Sequence, residues 1–275
     1  MRYVALALLV GCHGTNPSIE VDAAAEPDAA NCVWSPPVEL TEFSDFTAER
    51  DPTETADLLE LYYTGDGAAG EIMFASRATV DAPFVRQPRP SFDDPDAVDA
   101  SPVVSADGLH MVFTSDRSGT LDVYETTRAT RDASWSVPAP ALVRVPGPLV
   151  ANGIGMTADA HYLVAHIEDS PSSSLAYCFI RQTLDEAFSG NCDELYTMPA
   201  PALDDSLSAI YYNCGTGICA RPLAKTITAW KLPGAEEHVA MGTSSGAADP
   251  WVEPGGNTIL FAADHSLFRT TRSCN

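Results

Sequence analysis

The sequence predicts an all-β fold, a five-bladed β-propeller closed by the N-terminal strand joining the last blade. Three observations predict it. Apolar second-strand cores recur as LELYYT (59–64), LHMVFT (109–114), HYLVAH (161–166), LSAIYY (207–212) and NTILFA (257–262), starting 50, 52, 46 and 50 residues apart. An aromatic marks the fourth strand at matching intervals: Trp34, Phe84, Trp135, Phe188 and Trp230. Third, the last unit stops after its third strand, Ser266–Arg272, while a spare strand, Cys32-Val33-Trp34, stands at the other end. A four-stranded unit cannot bury both of its faces alone, whereas a closed ring of them can.

Residues 1–11, MRYVALALLVG, carry one basic residue and an apolar run too short to span a bilayer, which has the shape of a secretory signal. Residues 13–31 are rich in Ala, Asp, Pro and Glu, and Pro17 and Pro27 interrupt any helix. Such a stretch has little to bury and reads as a solvated acidic tether over 12–31. The propeller then occupies 32–275.

Blade one is expected over about Thr41 to Arg89, with strands near Asp51–Thr55, Leu59–Thr64 and Glu71–Arg77. The connection after it contains Asp93-Asp94-Pro95-Asp96. This run lacks the spaced ligands and glycine of a dedicated calcium loop and reads as an exposed acidic loop. Blade two is the most regular: Ser101–Ser105, an Ala106-Asp107-Gly108 turn, then Leu109–Ser115, Leu121–Arg128 and Trp135–Val143. Asp and Gly tolerate the backbone angles of such tight turns. Blade three spans about Val150 to Tyr196, and blade four about Thr197 to Lys231, the shortest, with clipped loops expected. Blade five runs from about Met241 to Arg272 plus the donated strand at Trp34. The three tryptophans Trp34, Trp135 and Trp230 read as residues that pack blades together.

The residues of blade two resemble the TolB-type, or WD-like, β-propeller repeats of bacterial envelope proteins. The resemblance rests on Ser101-Pro102, Ser105-Ala106-Asp107-Gly108, Phe113-Thr114-Ser115-Asp116-Arg117, Asp122-Val123-Tyr124, Trp135 and Pro138. It weakens in the third and fourth repeats, where Thr157-Ala158-Asp159-Ala160 and Leu203-Asp204-Asp205-Ser206 replace the turn. The resemblance implies a propeller that binds other proteins or small ligands. Leu9-Val10-Gly11-Cys12 likewise resembles the bacterial lipobox, which implies that Cys12 is lipidated and holds the chain to the cell envelope, at the outer membrane. An ordinary signal peptide that happens to contain a cysteine is the plainer alternative.

Six cysteines remain after Cys12, and an exported chain with an even number usually pairs them. The repeat phase selects Cys214–Cys219 across a hairpin, Cys178–Cys192 between neighbouring strands, and Cys32–Cys274 across the closure. No cysteine cluster has the close paired spacing of a structural zinc site, so no metal is expected.

Charge excludes one partner class. Fifteen basic against 38 acidic residues give a net −23, which repels a phosphate backbone, so no nucleic acid is expected. There is no G-x-S-x-G elbow and no phosphate-cradling glycine loop with its Lys, and no cofactor is expected. His161 and His166 stand five apart on one strand and face opposite sides. Asp51 and Asp249 precede equivalent prolines, Pro52 and Pro250, at the start of innermost strands in adjacent blades. Ser101 and Gly153 take that place in blades two and three, and Asp99 falls two residues out of register. Two functions are in view. The first is a non-enzymatic, lipid-anchored propeller binding a protein, peptide or glycan partner at the envelope. The second is a glycosidase-like hydrolase with Asp51 and Asp249 as its carboxylate pair. Short polar side chains also sit at strand entrances simply to accept backbone hydrogen bonds.

Overall fold

A computed structural model describes residues 32–43, 48–65, 70–142, 150–170, 173–189, 194–195, 198–215, 217–225, 230–241 and 247–274. Its sheets form a five-bladed β-propeller. Among the described residues the one helical element is a 3-10 turn at Thr41–Phe43. The stretches expected to be a signal segment and a tether, with Cys12, lie outside the described residues.

Blade one contains Arg50–Glu54, Glu60–Gly65, Glu71–Ser76 and Val85–Gln87, all antiparallel. Blade two contains Asp99–Val104, His110–Ser115, Asp122–Thr127 and Ala139–Pro140. Blade three contains Val150–Met156, Tyr162–Ser170, Ser173–Ile180 and Glu194–Leu195. The last blade contains Ala247–Val252, Thr258–Ala263 and Ser266–Cys274, and the N-terminal strand Cys32–Trp34 pairs with the latter in the register Cys32↔Cys274 and Trp34↔Arg272. Val38–Glu39 extends the same pairing.

Blade four departs from expectation. Its strands are Ala202–Leu203, Ala209–Asn213, Gly217–Pro222 and Glu237–Met241. It therefore runs on to Met241 rather than ending at Lys231, and its loops are not clipped. Trp230 is not in its outer strand; Trp230–Lys231 pairs instead with Ala224–Lys225 in a two-stranded side hairpin. The aromatic marker kept its packing job there, burying its ring beside Leu203, Ile210 and Leu223, while a different segment took over the ladder. Trp135 likewise lies outside the short fourth strand of blade two, and its ring packs edge-on to Tyr62 and Phe92.

The core is distributed around the ring, because each blade is apolar on both faces. One buried cluster lies between each successive pair of blades: Tyr62, Phe113 and Tyr124 between one and two, Val112, Leu163 and Phe188 between two and three. The circle continues through Ile210, then Phe261, and closes through Phe43, Tyr63 and Leu260 between blades five and one. Burying each such side chain contributes roughly 2–3 kcal/mol.

A second repeat ties the outer strands on. Arg77, Arg128 and Arg181 each end a third strand, and seven residues later stand Phe84, Trp135 and Phe188. Each guanidinium lies over its aromatic ring, at 4.3, 4.4 and 4.3 Å from the centroid. Each Nε donates to the carbonyl of the tight turn between the first two strands: Leu58, Gly108 and Ala160, at 2.6, 2.6 and 2.7 Å. Arg128 and Arg181 also reach acids of the preceding blade, Glu60 at 2.5 Å and Glu125 at 2.8 Å. A charge so buried needs such partners on every side.

Candidate functional site

Each innermost strand enters the ring through one residue in the left-handed region: Asp51 (φ 51°), Ser101 (51°), Gly153 (75°), Ala200 (50°) and Asp249 (53°). Bulges in four of the ladders bracket these positions. They re-aim each side chain toward the axis. At Gly153 the crowding is absolute, since a Cβ there would stand 2.8 Å from Cα of Ala200. Four non-glycine residues adopt a conformation that costs each of them on the order of 1 kcal/mol, which the surrounding ring holds in place.

This collar narrows the central funnel. On one side opens a cavity of about 320 Å3 bordered by Arg50, Thr114, His166 and Asn213 with the two acids at its floor. On the other side only about 20 Å3 remains, between Pro52, Pro102, Val103, Ile154, Met156 and Trp251. The ring thus has a polar cup at one end and an apolar plug at the other.

Asp51 and Asp249, predicted as a pair from register, are neighbours in this collar. Asp51 accepts a hydrogen bond from the Thr64 hydroxyl at 2.9 Å, that hydroxyl accepts the Ser101 amide at 2.9 Å, and Arg50 lies 3.5 Å from Asp51. The amide of Asp51 in turn donates to the carboxyl of Asp249. Burial raises the pKa of Asp51 despite these partners. Burial, and then the adjacent Asp51 charge, push Asp249 up to about 8. Like charges so close in a low-dielectric site do not ionise together, so at neutral pH the pair keeps a proton.

The other sequence candidates fall elsewhere. Asp99 is buried against Arg117, both oxygens 2.9 Å from one guanidinium nitrogen, and accepts the amide of Asp94. It takes no part in the collar. Asp93 is turned to Arg89 and the amide of Ile72. Cys32 and Cys274 are bonded to each other, as are Cys214 and Cys219. Cys178 is disulfide-bonded, and its expected partner Cys192 lies outside the described residues. His166 and Asn213 at the cup were not picked out from sequence; both stand on second strands, whose inner ends face the axis, and that position was the available signal. His238 was also missed. It pairs with Cys219 across the outer ladder of blade four, and its Nδ1 lies 3.3 Å from Sγ of Cys219 and 3.9 Å from Sγ of Cys214.

No protein-family model and no curated protein matches the chain. Solved β-propeller structures do. One is a putative TolB from Agrobacterium tumefaciens, 11% identical, with a TM-score of 0.52, covering 84% of this chain and 77% of that one. Another is an α-L-arabinofuranosidase from Podospora anserina in complex with cellotriose, 11% identical, with a TM-score of 0.54, covering 88% of this chain and 97% of that one. A gluconolactonase from Xanthomonas campestris is 13% identical, with a TM-score of 0.48, covering 86% and 89%. The protein is a β-propeller, a class that holds binding proteins and hydrolases alike.

Proposed function

We propose that the protein is a non-enzymatic binding propeller of the bacterial cell envelope, exported and anchored by a lipid on Cys12. Its polar cup takes a hydroxyl- or amine-bearing group of a glycan, peptide or protein partner. The observation that carries this reading is how the two acids are used. Their oxygens accept hydrogen bonds from the Thr64 hydroxyl and the Asp51 amide at the strand entrances, and an apolar constriction lies just beyond them. What remains facing the cup is a small set of convergent donors and acceptors, the usual make-up of a recognition site. The TolB-like neighbour adds precedent for the scaffold in binding, and the net charge of −23 suits an exported soluble domain.

The test uses the lipidated chain in detergent against arrays of envelope glycans and peptides, with mass spectrometry at Cys12. Binding that falls about tenfold or more in both His166→Ala and Asn213→Trp supports the reading. Ligands that bind these variants as well as the native chain remove the cup from it, and an unmodified Cys12 removes the anchor.

One observation favours a second reading. Two neighbouring carboxyls that keep one proton between them are the kind of pairing that acid-assisted glycoside cleavage requires. Hydrolysis of aryl glycosides that disappears in both Asp51→Asn and Asp249→Asn would establish it over the first.

A further inference from the structure

The cluster at the outer edge of blade four belongs to neither reading of the central cup. Cys214 and Cys219 flank the hairpin between Ala209–Asn213 and Gly217–Pro222, and His238 stands on the adjoining strand opposite Cys219. The ligand atoms of these three residues all lie within 4.8 Å of one another. We propose that this disulfide, when reduced, becomes a binding site for a borderline-soft divalent cation of the zinc type, held by two thiolates and one imidazole.

The geometry already fits on the nitrogen side. Zinc–sulfur bonds of about 2.3 Å and zinc–nitrogen bonds of about 2.1 Å at tetrahedral angles set S···N near 3.6 Å and S···S near 3.8 Å. Nδ1 of His238 stands 3.3 and 3.9 Å from the two sulfurs, on either side of that value. Only the sulfurs must part. The hairpin between them has the slack to allow it: Gly215 sits at φ 93° with open space around it, and Gly217 follows.

A second observation points the same way. Glu236 Oε1 lies 4.0 Å from Nε2 of His238, the nitrogen turned away from the sulfurs. The Tyr212 hydroxyl donates to Oε2 of that same carboxylate. At that distance there is no hydrogen bond, but the carboxylate is placed to close on Nε2 once a metal draws on Nδ1, as behind the histidines of many zinc sites. Cys219 is fully buried while the His238 side chain is 52% exposed. The cation would therefore be anchored on the protein side, with its fourth position open to solvent or an incoming ligand.

The chemistry balances with a thiol reductant. Two equivalents of a small thiol, or one envelope dithiol, supply two electrons and two protons; the S–S bond breaks, two S–H bonds form, and the reductant leaves as its own disulfide. Binding of Zn2+ then forms two S–Zn bonds and one N–Zn bond and releases both thiol protons. Oxidation expels the ion, so occupancy reports the redox state.

The experiment titrates the full chain, oxidised and after mild thiol reduction, with Zn2+ against a chromogenic chelator, and with Co2+ to record thiolate-to-metal absorption. One ion per reduced chain, none in the oxidised chain, and affinity reduced about tenfold or more in His238→Asn are expected. Glu236→Gln should weaken binding less. Cys214→Ser should abolish the thiolate absorption, which separates this site from thiols released elsewhere. Equal binding by the oxidised chain, or undiminished binding in His238→Asn, would overturn the proposal. So would loss of the fold, followed by circular dichroism, before Cys214–Cys219 opens.

Discussion

The ring holds its outer strands in two ways, and the division follows the sequence. Blades one to three use an arginine, buried in blades two and three and half-buried in blade one, that grips a turn carbonyl and an aromatic ring. Blade five ties its outer strand with the Cys32–Cys274 disulfide, while Cys214–Cys219 closes the hairpin between the second and third strands of blade four and Cys178 of blade three is also disulfide-bonded. In blade five an arginine still faces its aromatic, but Arg272 stands 5.9 Å from the Trp34 ring, well beyond the other three. In blade four the interval from Arg221 to Trp230 has grown to nine residues, and Arg221 Nη2 makes only long contacts, 3.4 and 3.5 Å, to Leu232 and Gly234. Where consecutive strands supply the blade, a local side-chain network is enough. Where the outer strand comes from the far end of the chain, a covalent bond stands in.

That comparison predicts an order of stabilities. The double change Cys32→Ser with Cys274→Ser opens a loop of 242 residues. Loop-closure entropy puts the loss at about 5 kcal/mol, read as a lower midpoint in denaturant at constant slope. A loss below about 2 kcal/mol would mean that the strand pairing alone closes the ring. Arg128→Ala comes next. It strands Glu60 and the Gly108 carbonyl in a buried setting, where removing one partner of such a pair costs about 3–4 kcal/mol. Arg221→Ala in blade four should cost about 1 kcal/mol or less, since its hydrogen bonds are long and partly exposed. Equal losses for the two arginines would erase the distinction. Cys214→Ala with Cys219→Ala opens a much shorter loop, with a separation of 5 residues, and should cost about 2 kcal/mol.

Much of this architecture could be read in advance. The five second-strand cores and the orphan strand at Trp34 set the blade number and the closure, because both depend only on periodicity. The position of Asp51 and Asp249 followed from the same register. What escaped was whatever depends on a partner from another strand. The arginine grip is visible as R-A-T-V-D-A-P-F, R-A-T-R-D-A-S-W and R-Q-T-L-D-E-A-F (77–84, 128–135 and 181–188), yet reading only the aromatic end of it led to the wrong outer strand in blade four. There the ring of Trp230 could stay in the core while its backbone left the sheet. His238 could not be placed beside Cys219 until that strand was known to be Glu237–Met241. Nor do composition and spacing show that Asp249 accepts the amide of Asp51, since the contact crosses the seam between the last blade and the first.

That seam gives the finest test of how the two halves meet. Asp249 has its carboxyl raised from 3.8 to about 8. The folded chain therefore keeps a proton there that the unfolded chain gives up near pH 4. Its contribution is complete below that pH and is lost as pH rises through about 8, at no more than about 1.4 kcal/mol per pH unit. Glu54, raised by burial to about 7 and opposed by the charge of Arg269, adds a fall of the same sign that ends one unit earlier. Asp249→Asn keeps an uncharged acceptor in place, so denaturant midpoints measured from pH 5 to pH 9 should lose the fall above pH 7 and keep below it only the share of Glu54, about half. A native-like slope between pH 7 and pH 8.5 in that variant would show that Asp249 is ionised in the folded ring. The shared-proton arrangement across the seam would then be wrong, and with it the acid–base asymmetry that the hydrolase reading requires.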